Sequence, residues 1–232
     1  MLFQSRTLWL CSLLAAVATL GAGTPVPAIT EVKTDFGMEA PPDVSNKLMT
    51  GHSILENRRF LVVRVRFTPG VIDSEKPKGP ARGAKELTYL DDLDLSVSIL
   101  IAGEKRNSPP KALLTGKTRF WGVKLDGKEH VAYMFVAPHY LDRYAPVRSS
   151  GEKSRTLKNG DFAVEAVFTL SGKVLARGYC GVDKKHLVNG QVPKGLFSPP
   201  GVRAIEDAVW PKERSPWQWQ DFEKFDLTLP VR

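Results

Sequence analysis

Cysteine is almost absent from this sequence, with two in 232 residues. So few cysteines exclude a disulfide-dense scaffold and a cysteine-rich zinc fold. Long apolar runs are also scarce beyond residues 8–20, which argues against a protein that crosses a membrane several times. What is present is ordinary for a folded domain: 42% of the residues are hydrophobic and 25% are charged. This composition argues against wholesale disorder.

The first segment has the layout of a secretory signal peptide. Arg6 precedes the apolar run, and small residues follow it at positions 21–23. Cleavage after Ala22 and cleavage after Ala28 both fit, and the sequence leaves the choice open. An uncleaved anchor fits less well, because the run is shorter than the roughly 20 residues that span a bilayer. We therefore expect a signal peptide over residues 1–28 and a single domain over residues 29–232.

Removing the export segment changes the charge and the cysteine count. The whole chain has a formal charge of +8, and residues 1–28 carry one arginine and no acid, so the remaining domain carries +7. Cys11 leaves with the segment, so Cys180 has no partner within the chain for a disulfide. Because Cys180 ends a strand-like run, we interpret it as a small apolar residue rather than a reactive thiol.

The dispersed positive charge predicts at most weak contact with anionic envelope polymers. No recognition helix or aromatic-interleaved RNA motif accompanies it, so we do not expect nucleic acid as a partner.

Apolar residues alternate with polar ones along the domain, as in half-buried strands. The clearest runs are Phe60–Thr68 and Leu93–Ala102. Two hairpins are predicted, the first from Arg119–Leu125 and Glu129–Ala137 around Asp126-Gly127, the second from Asp161–Leu170 and Val174–Cys180 around Ser171-Gly172. Strands are also predicted near Ile29–Phe36 and Phe225–Pro230.

Seven or eight short antiparallel strands predict an all-β, immunoglobulin-like antiparallel β-sandwich with one or two short helices. The helix candidates are Pro42–Arg58 and Pro138–Tyr144. Proline-rich stretches at Pro69–Glu86 and Gly190–Gly201 are predicted to be loops, the first an exposed excursion with no packed role.

No motif amounts to an active site. Gly116, Lys117 and Thr118 match the end of a phosphate-binding loop but lack its first glycine, since Lys111 stands in that place. The S-x-x-K matches at residues 108–111 and 150–153 lie in non-helical surroundings and are taken as coincidence. Asp91, Asp92 and Asp94 are interpreted as a solvated strand start. The four histidines, which lie too far apart in sequence to suggest a metal site, are His52, His130, His139 and His186.

Tryptophans near residue 217 form the most distinctive local feature. Trp217 and Trp219 could make an exposed platform for sugar rings, which is the basis of an alternative function as a secreted carbohydrate-binding module. The competing interpretation, which we favour, is that these aromatics clamp the final strand onto the sandwich.

The order of these segments resembles secreted pilus-like proteins of verrucomicrobial bacteria, which are encoded beside type IV pilus-like assembly genes. The resemblance rests on FLVVRVRFTPG, LDLSVSILIAG, FWGVKL, HVAYMFVAPHYLDRY, LKNGDFAVEAVFTLSGKVLARGY and SPWQWQDFEKF. It covers about residues 29–230 and implies an exported immunoglobulin-like sandwich without enzymatic activity. The chain departs from true type IV pilins because its apolar segment stops by Gly23, and Thr24, Pro25 and Pro27 would break a continuing helix.

The sequence therefore predicts a non-enzymatic structural or interaction protein of a pilus-like cell-envelope system. Its expected place is the periplasm, the outer membrane or the cell surface, and its expected partners are envelope proteins or further copies of the chain. No cofactor, metal or catalytic residue is predicted. A hydrolase is the third hypothesis, and it would require Asp91, Asp92 or His139 to meet other groups in a cleft.

Overall fold

A computed structural model describes residues 26–41, 59–72, 89–103, 109–145, 161–183 and 186–218. Within these ranges lie eleven strands, seven of them at least seven residues long, and one short α-helix. The elements, in chain order, are β1 Val26–Glu39, β2 Phe60–Ile72, β3 Tyr89–Leu90, β4 Leu93–Ile101, β5 Ala112–Phe120, β6 Val123–Lys124, β7 His130–Val136, α1 Pro138–Tyr144, β8 Phe162–Leu170, β9 Lys173–Cys180, β10 Ala204–Ile205, β11 Val209–Pro211 and a 3-10 turn at Lys212–Arg214.

The strands form two main sheets that pack face to face. One sheet has four strands in the order β1-β2-β7-β11, and the other has five in the order β10-β5-β4-β8-β9. A separate two-stranded ribbon joins β3 to β6. The all-β sandwich is therefore confirmed. One pair differs from the antiparallel prediction, because β10 runs parallel to β5.

One core lies between the sheets, and period-two patterning supplies it from both sides. Along β2 the alternate residues Leu61, Val63, Val65 and Phe67 are buried in this core. The five-stranded sheet contributes the matching alternate positions of β4, β5 and β8. Burying one such large side chain stabilises the fold by about 1.5–3 kcal/mol, so this core is the main source of stability.

Glycines allow the two sheets to approach closely at opposite edges. A Cβ added to Gly116 on β5 would lie 1.8 Å from the carbonyl oxygen of Val209 on β11. A Cβ on Gly178 of β9 would lie 2.4 Å from a methyl carbon of Val32 on β1. No real Cβ tolerates either distance, so the two contacts require a residue without a side chain. We call the two edges where strands of opposite sheets meet, β5 with β11 and β9 with β1, the seams of the sandwich.

Most of the predicted elements are present. The strands at Phe60–Thr68 and Leu93–Ala102, the second hairpin and the helix at Pro138–Tyr144 are all confirmed. The turn of that hairpin places Ser171 and Gly172 at positive φ. The closing strand at Phe225–Pro230, the helix candidate at Pro42–Arg58 and the export segment lie outside the described residues, except that β1 already begins at Val26.

The first predicted hairpin is wrong. The residues at Arg119–Phe120 end β5, which pairs with β4 in the five-stranded sheet, whereas β7 pairs with β2 and β11 in the other sheet. Gly122, at φ +70°, turns the chain between β5 and β6. The Asp126-Gly127 turn exists, but it connects the β3–β6 ribbon to the opposite sheet instead of joining two paired strands.

Two smaller corrections concern β5 and a loop. Residues 116–118, which we interpreted as a loop between strands after rejecting a phosphate-binding motif, lie in the middle of β5. Residues 69–72 belong to β2 and pair with β1, so the start of the predicted excursion is packed; residues 73–86 lie outside the described ranges. The Gly190–Gly201 stretch is a connection, and it packs Phe197 on Leu100 and Leu113 of the five-stranded sheet.

Candidate functional site

The outward-facing side of the four-stranded sheet divides into two halves of different chemistry. We call it the outer face; it carries the residues of β1, β2 and β7 that alternate with the core positions. Its apolar half consists of Phe60, Val62, Phe135 and Ala137. Its basic half consists of Lys33, Asp35, Arg64 and Arg66, with Val131 and Tyr133 beside them on β7.

Trp217 covers the apolar half. Its indole ring stacks on Phe135 with ring centroids 4.7 Å apart and an interplanar angle of 20°. The ring of Phe60 meets it edge-on at 5.2 Å and 87°. Trp217 is 4% exposed. The strand β2 is therefore buried on both sides near its start, which explains why Phe60 and Val62 break the alternation of polar and apolar residues.

A short turn holds Trp217 in this position. After β11, the 3-10 turn at Lys212–Arg214 is closed by Ser215, whose Oγ donates to the carbonyl oxygen of Lys212 at 2.8 Å. The backbone N–H of Trp217 donates back to the Ser215 Oγ at 3.2 Å. Ser215 itself is 3% exposed. This hydroxyl thus satisfies buried backbone groups and sets the direction of the Trp217 side chain.

The burial of Trp217 corrects the platform interpretation for that residue. A sugar ring can stack only on an indole face that solvent reaches, and both the face and the edge of this ring are occupied by phenylalanines. The structure therefore places Trp217 as a clamp over Phe60 of β2 and Phe135 of β7 and not on a binding surface; the final strand of the predicted clamp lies outside the described residues. Trp219 lies outside the described residues.

The basic half has more positive than negative charge. Asp35 on β1 binds two arginines of β2: Arg64 Nε donates to one carboxylate oxygen at 2.6 Å, and Arg66 Nη2 donates to the other at 3.2 Å. All three side chains are about 40% exposed, so these pairs contribute little to stability. One carboxylate serves two guanidinium groups, which leaves a net positive charge on this half.

The other outward-facing sheet surface carries cross-strand ion pairs of the same kind. Asp94 on β4 accepts from Arg119 Nε at 2.6 Å and from Nη2 at 3.2 Å. Glu165 on β8 accepts from Arg177 at 2.6 Å. The hydrogen bond to Asp94 raises the pKa of the Arg119 guanidinium. Asp94 is therefore engaged in a strand-to-strand contact.

The residues of the hydrolase hypothesis are not brought together. Asp91 accepts a hydrogen bond from the Gly122 N–H at 3.1 Å, at the end of the sandwich where Phe120 contacts Phe67. His139 lies beyond the other end of β2, on the helix that follows β7, with its ring 4.1 Å from that of Tyr140. The two groups belong to opposite ends of the sandwich, so they cannot share a cleft.

The remaining histidines within the described ranges are separated as well. His130 is 8% exposed and its Nε2 lies 3.1 Å from Asp126 Oδ1, while His186 is exposed. Across the described residues, no group of three or more His, Cys, Asp or Glu side chains is placed to hold a metal ion. His52 lies outside these ranges.

Cys180 lies half-buried at the end of β9, facing β1 across one seam. Burial raises the pKa of its thiol from 9.0 to about 11. A thiol of this kind is protonated at neutral pH and reacts slowly. The interpretation of Cys180 as a packed, inert residue agrees with this environment.

Sequence reasoning missed the outer face as a unit. The alternation of Arg64 and Arg66 identified an outward-facing side of β2, but Asp35 lies 29 residues before Arg64 and the clamp comes 153 residues after it. A signal was present in Phe60 and Val62, since two apolar residues on the nominally polar side of a strand indicate a cover.

Comparison with known proteins gives a likeness of fold. A solved structure of a protein from Akkermansia muciniphila, a verrucomicrobial bacterium, superimposes with a TM-score of 0.54 over 90% of this chain and 96% of that chain. The two sequences are 13% identical, so the likeness shows a related fold alone. No protein-family model and no curated protein matches the sequence. Within the described part of the chain, no helix is long and apolar enough to span a bilayer.

Proposed function

We propose that the chain is an exported, non-enzymatic β-sandwich that works through protein contacts as a component or accessory of a pilus-like cell-envelope system. The observation that carries the proposal is the end-to-end likeness of fold to a verrucomicrobial protein. That protein comes from the same bacterial group as the secreted pilus-like proteins that the sequence resembles.

The surface chemistry supports a role in contact. The ion pairs of the five-stranded sheet, Asp94–Arg119 and Glu165–Arg177, lie on its outward-facing side, and such a face suits complementary charges on another protein. The partners in this proposal are envelope proteins of the pilus-like apparatus or further copies of the chain, with weak additional contact to anionic envelope polymers. The proposed place of action is the periplasm, the outer membrane or the cell surface.

Photo-crosslinking in the source organism tests this function. A photoreactive phenylalanine analogue would replace Tyr89 or Trp121, which are 53% and 41% exposed, and a matched control would carry it at Phe135, which is 1% exposed. We expect adducts with a pilus-like envelope component or a second copy from the two exposed positions and none from position 135. Fractionation should place the chain outside the cytoplasm.

Two results would contradict the proposal. One is retention of the full-length chain in the cytoplasm. The other is a set of adducts made only with proteins unrelated to the envelope.

A further inference from the structure

The outer face is covered on its apolar half by the chain's own Trp217, and its basic half is left partly open to solvent. Arg64 and Arg66 keep about 40% of their side-chain surface exposed. Beside them, Lys33 Nζ lies 3.7 Å from a carboxylate oxygen of Glu31, and both side chains are exposed. An occupant that suits the basic half would bring carboxylates for the arginines and apolar groups to lie beside Val131 and Tyr133.

The segment that follows the clamp has this chemistry. Residues 219–232 begin two positions after Trp217, and their first eight residues contain three acids and one lysine: Asp221, Glu223, Asp226 and Lys224. Phe222 and Phe225 alternate with these charges. Both the sign of the charge and the presence of aromatic groups match the basic half.

The distances also allow this segment to reach the basic half. Two residues along a strand cover about 7 Å, so the rows of Arg64–Tyr133 and Arg66–Val131 lie about 7 and 14 Å from the row of Val62–Phe135 that Trp217 covers. Fourteen residues can span up to about 46 Å when extended. We propose that residues 219–232 of the same chain dock on the basic half of the outer face and continue the cover that Trp217 begins.

Electrostatics gives the reason for this placement. The single carboxylate of Asp35 is shared between Arg64 and Arg66, so acids from the segment would supply the two guanidinium groups with further partners. Such charge-assisted hydrogen bonds are stronger when a second surface excludes water from them. The inference does not depend on the proposed function, because a covered basic half would follow from the chain's own composition in any compartment.

A chain truncated after Gln218 provides the test. We expect its backbone amide NMR signals to shift mainly at positions 64, 66, 131 and 133 relative to the longer chain. Addition of a synthetic peptide of residues 219–232 should restore the original signals. A control peptide with Asp221→Lys, Glu223→Lys and Asp226→Lys should bind at least ten-fold more weakly. Raising the salt concentration should also weaken the binding of the native peptide, because salt screens the charges that attract it.

Several outcomes would overturn the inference. Shifts confined to other surfaces, or equal binding of the two peptides, would show that the basic half is not the docking site. Signals of the longer chain that depend on protein concentration, with a matching dimer in sedimentation, would show that a second copy supplies the segment.

If the truncated chain does not fold, the experiment uses the longer chain with the same three substitutions, Asp221→Lys, Glu223→Lys and Asp226→Lys. Shifts at positions 64, 66, 131 and 133 are again expected. Their absence in a folded variant would contradict the proposal.

Discussion

At the scale of single residues, close contacts at the two seams determine which side chains fit there. Gly116 lies where β5 meets the backbone of β11, and Gly178 lies where β9 meets β1. Neither glycine has positive φ, so conformational freedom is not the reason for them. The reason is space: the neighbouring strand occupies the volume that a Cβ would need.

Replacing Gly116 with alanine should therefore destabilise the fold strongly. The added Cβ would collide with the Val209 carbonyl, a backbone atom that cannot rotate away, and we expect a loss of about 3 kcal/mol or more in the free energy of unfolding. Urea denaturation measures it. The matched control is Gly70→Ala, since a Cβ at Gly70 meets nothing within 4 Å. Equal stability of the two variants would contradict the close approach.

Cys180 should react slowly in the folded protein. Because burial raises the pKa of its thiol from 9.0 to about 11, the thiolate fraction at pH 8 falls about 100-fold relative to an exposed thiol. Alkylation rates in buffer and in denaturant, followed by mass spectrometry, measure this difference. The raised pKa also implies that the contribution of this thiol to stability is present below pH 9 and is lost as the pH rises towards 11. Equal alkylation rates would show that the thiol is exposed.

At the scale of elements, the turn after β11 acts through a single side chain. The turn itself is short and buries Ser215, but Trp217 fills the apolar half of the outer face and connects β2 with β7. An element of few residues can thus hold two strands that are distant in sequence.

Trp217→Ala should cost about 3–5 kcal/mol of unfolding free energy, because it removes a large buried ring and leaves a cavity over Phe135. Thermal and chemical denaturation measure the loss. Trp121→Ala is the matched control, since this tryptophan is 41% exposed and its loss should cost well under 1 kcal/mol. A small loss of unfolding free energy in Trp217→Ala would indicate that the indole ring is exposed and available for stacking, and would contradict its burial.

The stability contributed by the turn between β6 and β7 should depend on pH, because Asp126 in this turn titrates. The N–H of Lys128 and then His130 lower the pKa of the Asp126 carboxyl below its ordinary value of 3.8. A lowered pKa in the folded state gives stability that is present above about pH 4 and is lost as the pH falls through the folded pKa. Asp126→Asn should therefore be less stable than the original chain at pH 6, and the difference should shrink at pH 3.

Denaturation at both pH values measures this effect. Glu206→Gln, at an exposed position, controls for a general loss of negative charge. A difference at position 126 that grows on acidification would contradict the assignment.

At the scale of the whole molecule, the two sheets share one core and are closed at both seams. The apolar half of the outer face adds a second cluster on the back of β2 and β7. Since the same strands serve both clusters, neither can open without disturbing the other.

The described domain should therefore unfold in one cooperative step. Far-ultraviolet circular dichroism reports the sheets, and tryptophan fluorescence reports the cluster around Trp217; both should give the same midpoint in urea. An earlier fluorescence transition would show that the outer cluster opens by itself. Repeating the measurement with Trp121→Phe and Trp210→Phe removes the signal of the other two tryptophans in the described ranges.

Local pattern was sufficient for much of this fold. Alternation in FLVVRVRFT and LDLSVSILI predicts strands with the correct buried face, and Ser171-Gly172 predicts the β8–β9 hairpin, because these signals need only neighbouring residues. The pairing of β5 with β4 could not be found in this way. Gly116 interrupts the apolar alternation of β5, and the reason for it is the backbone of β11, more than ninety residues later.

Composition and strand pattern could likewise be read from the sequence, whereas the arrangement of the candidate site could not. The sequence by itself determined an all-β domain, its scarcity of thiols and its excess of basic residues. Only the tertiary structure decided that Trp217 is buried, that Asp35 lies between Arg64 and Arg66, and that Asp91 and His139 stand at opposite ends. Strand formation depends on a residue's neighbours in the chain, whereas burial and charge pairing depend on which strands become neighbours in space.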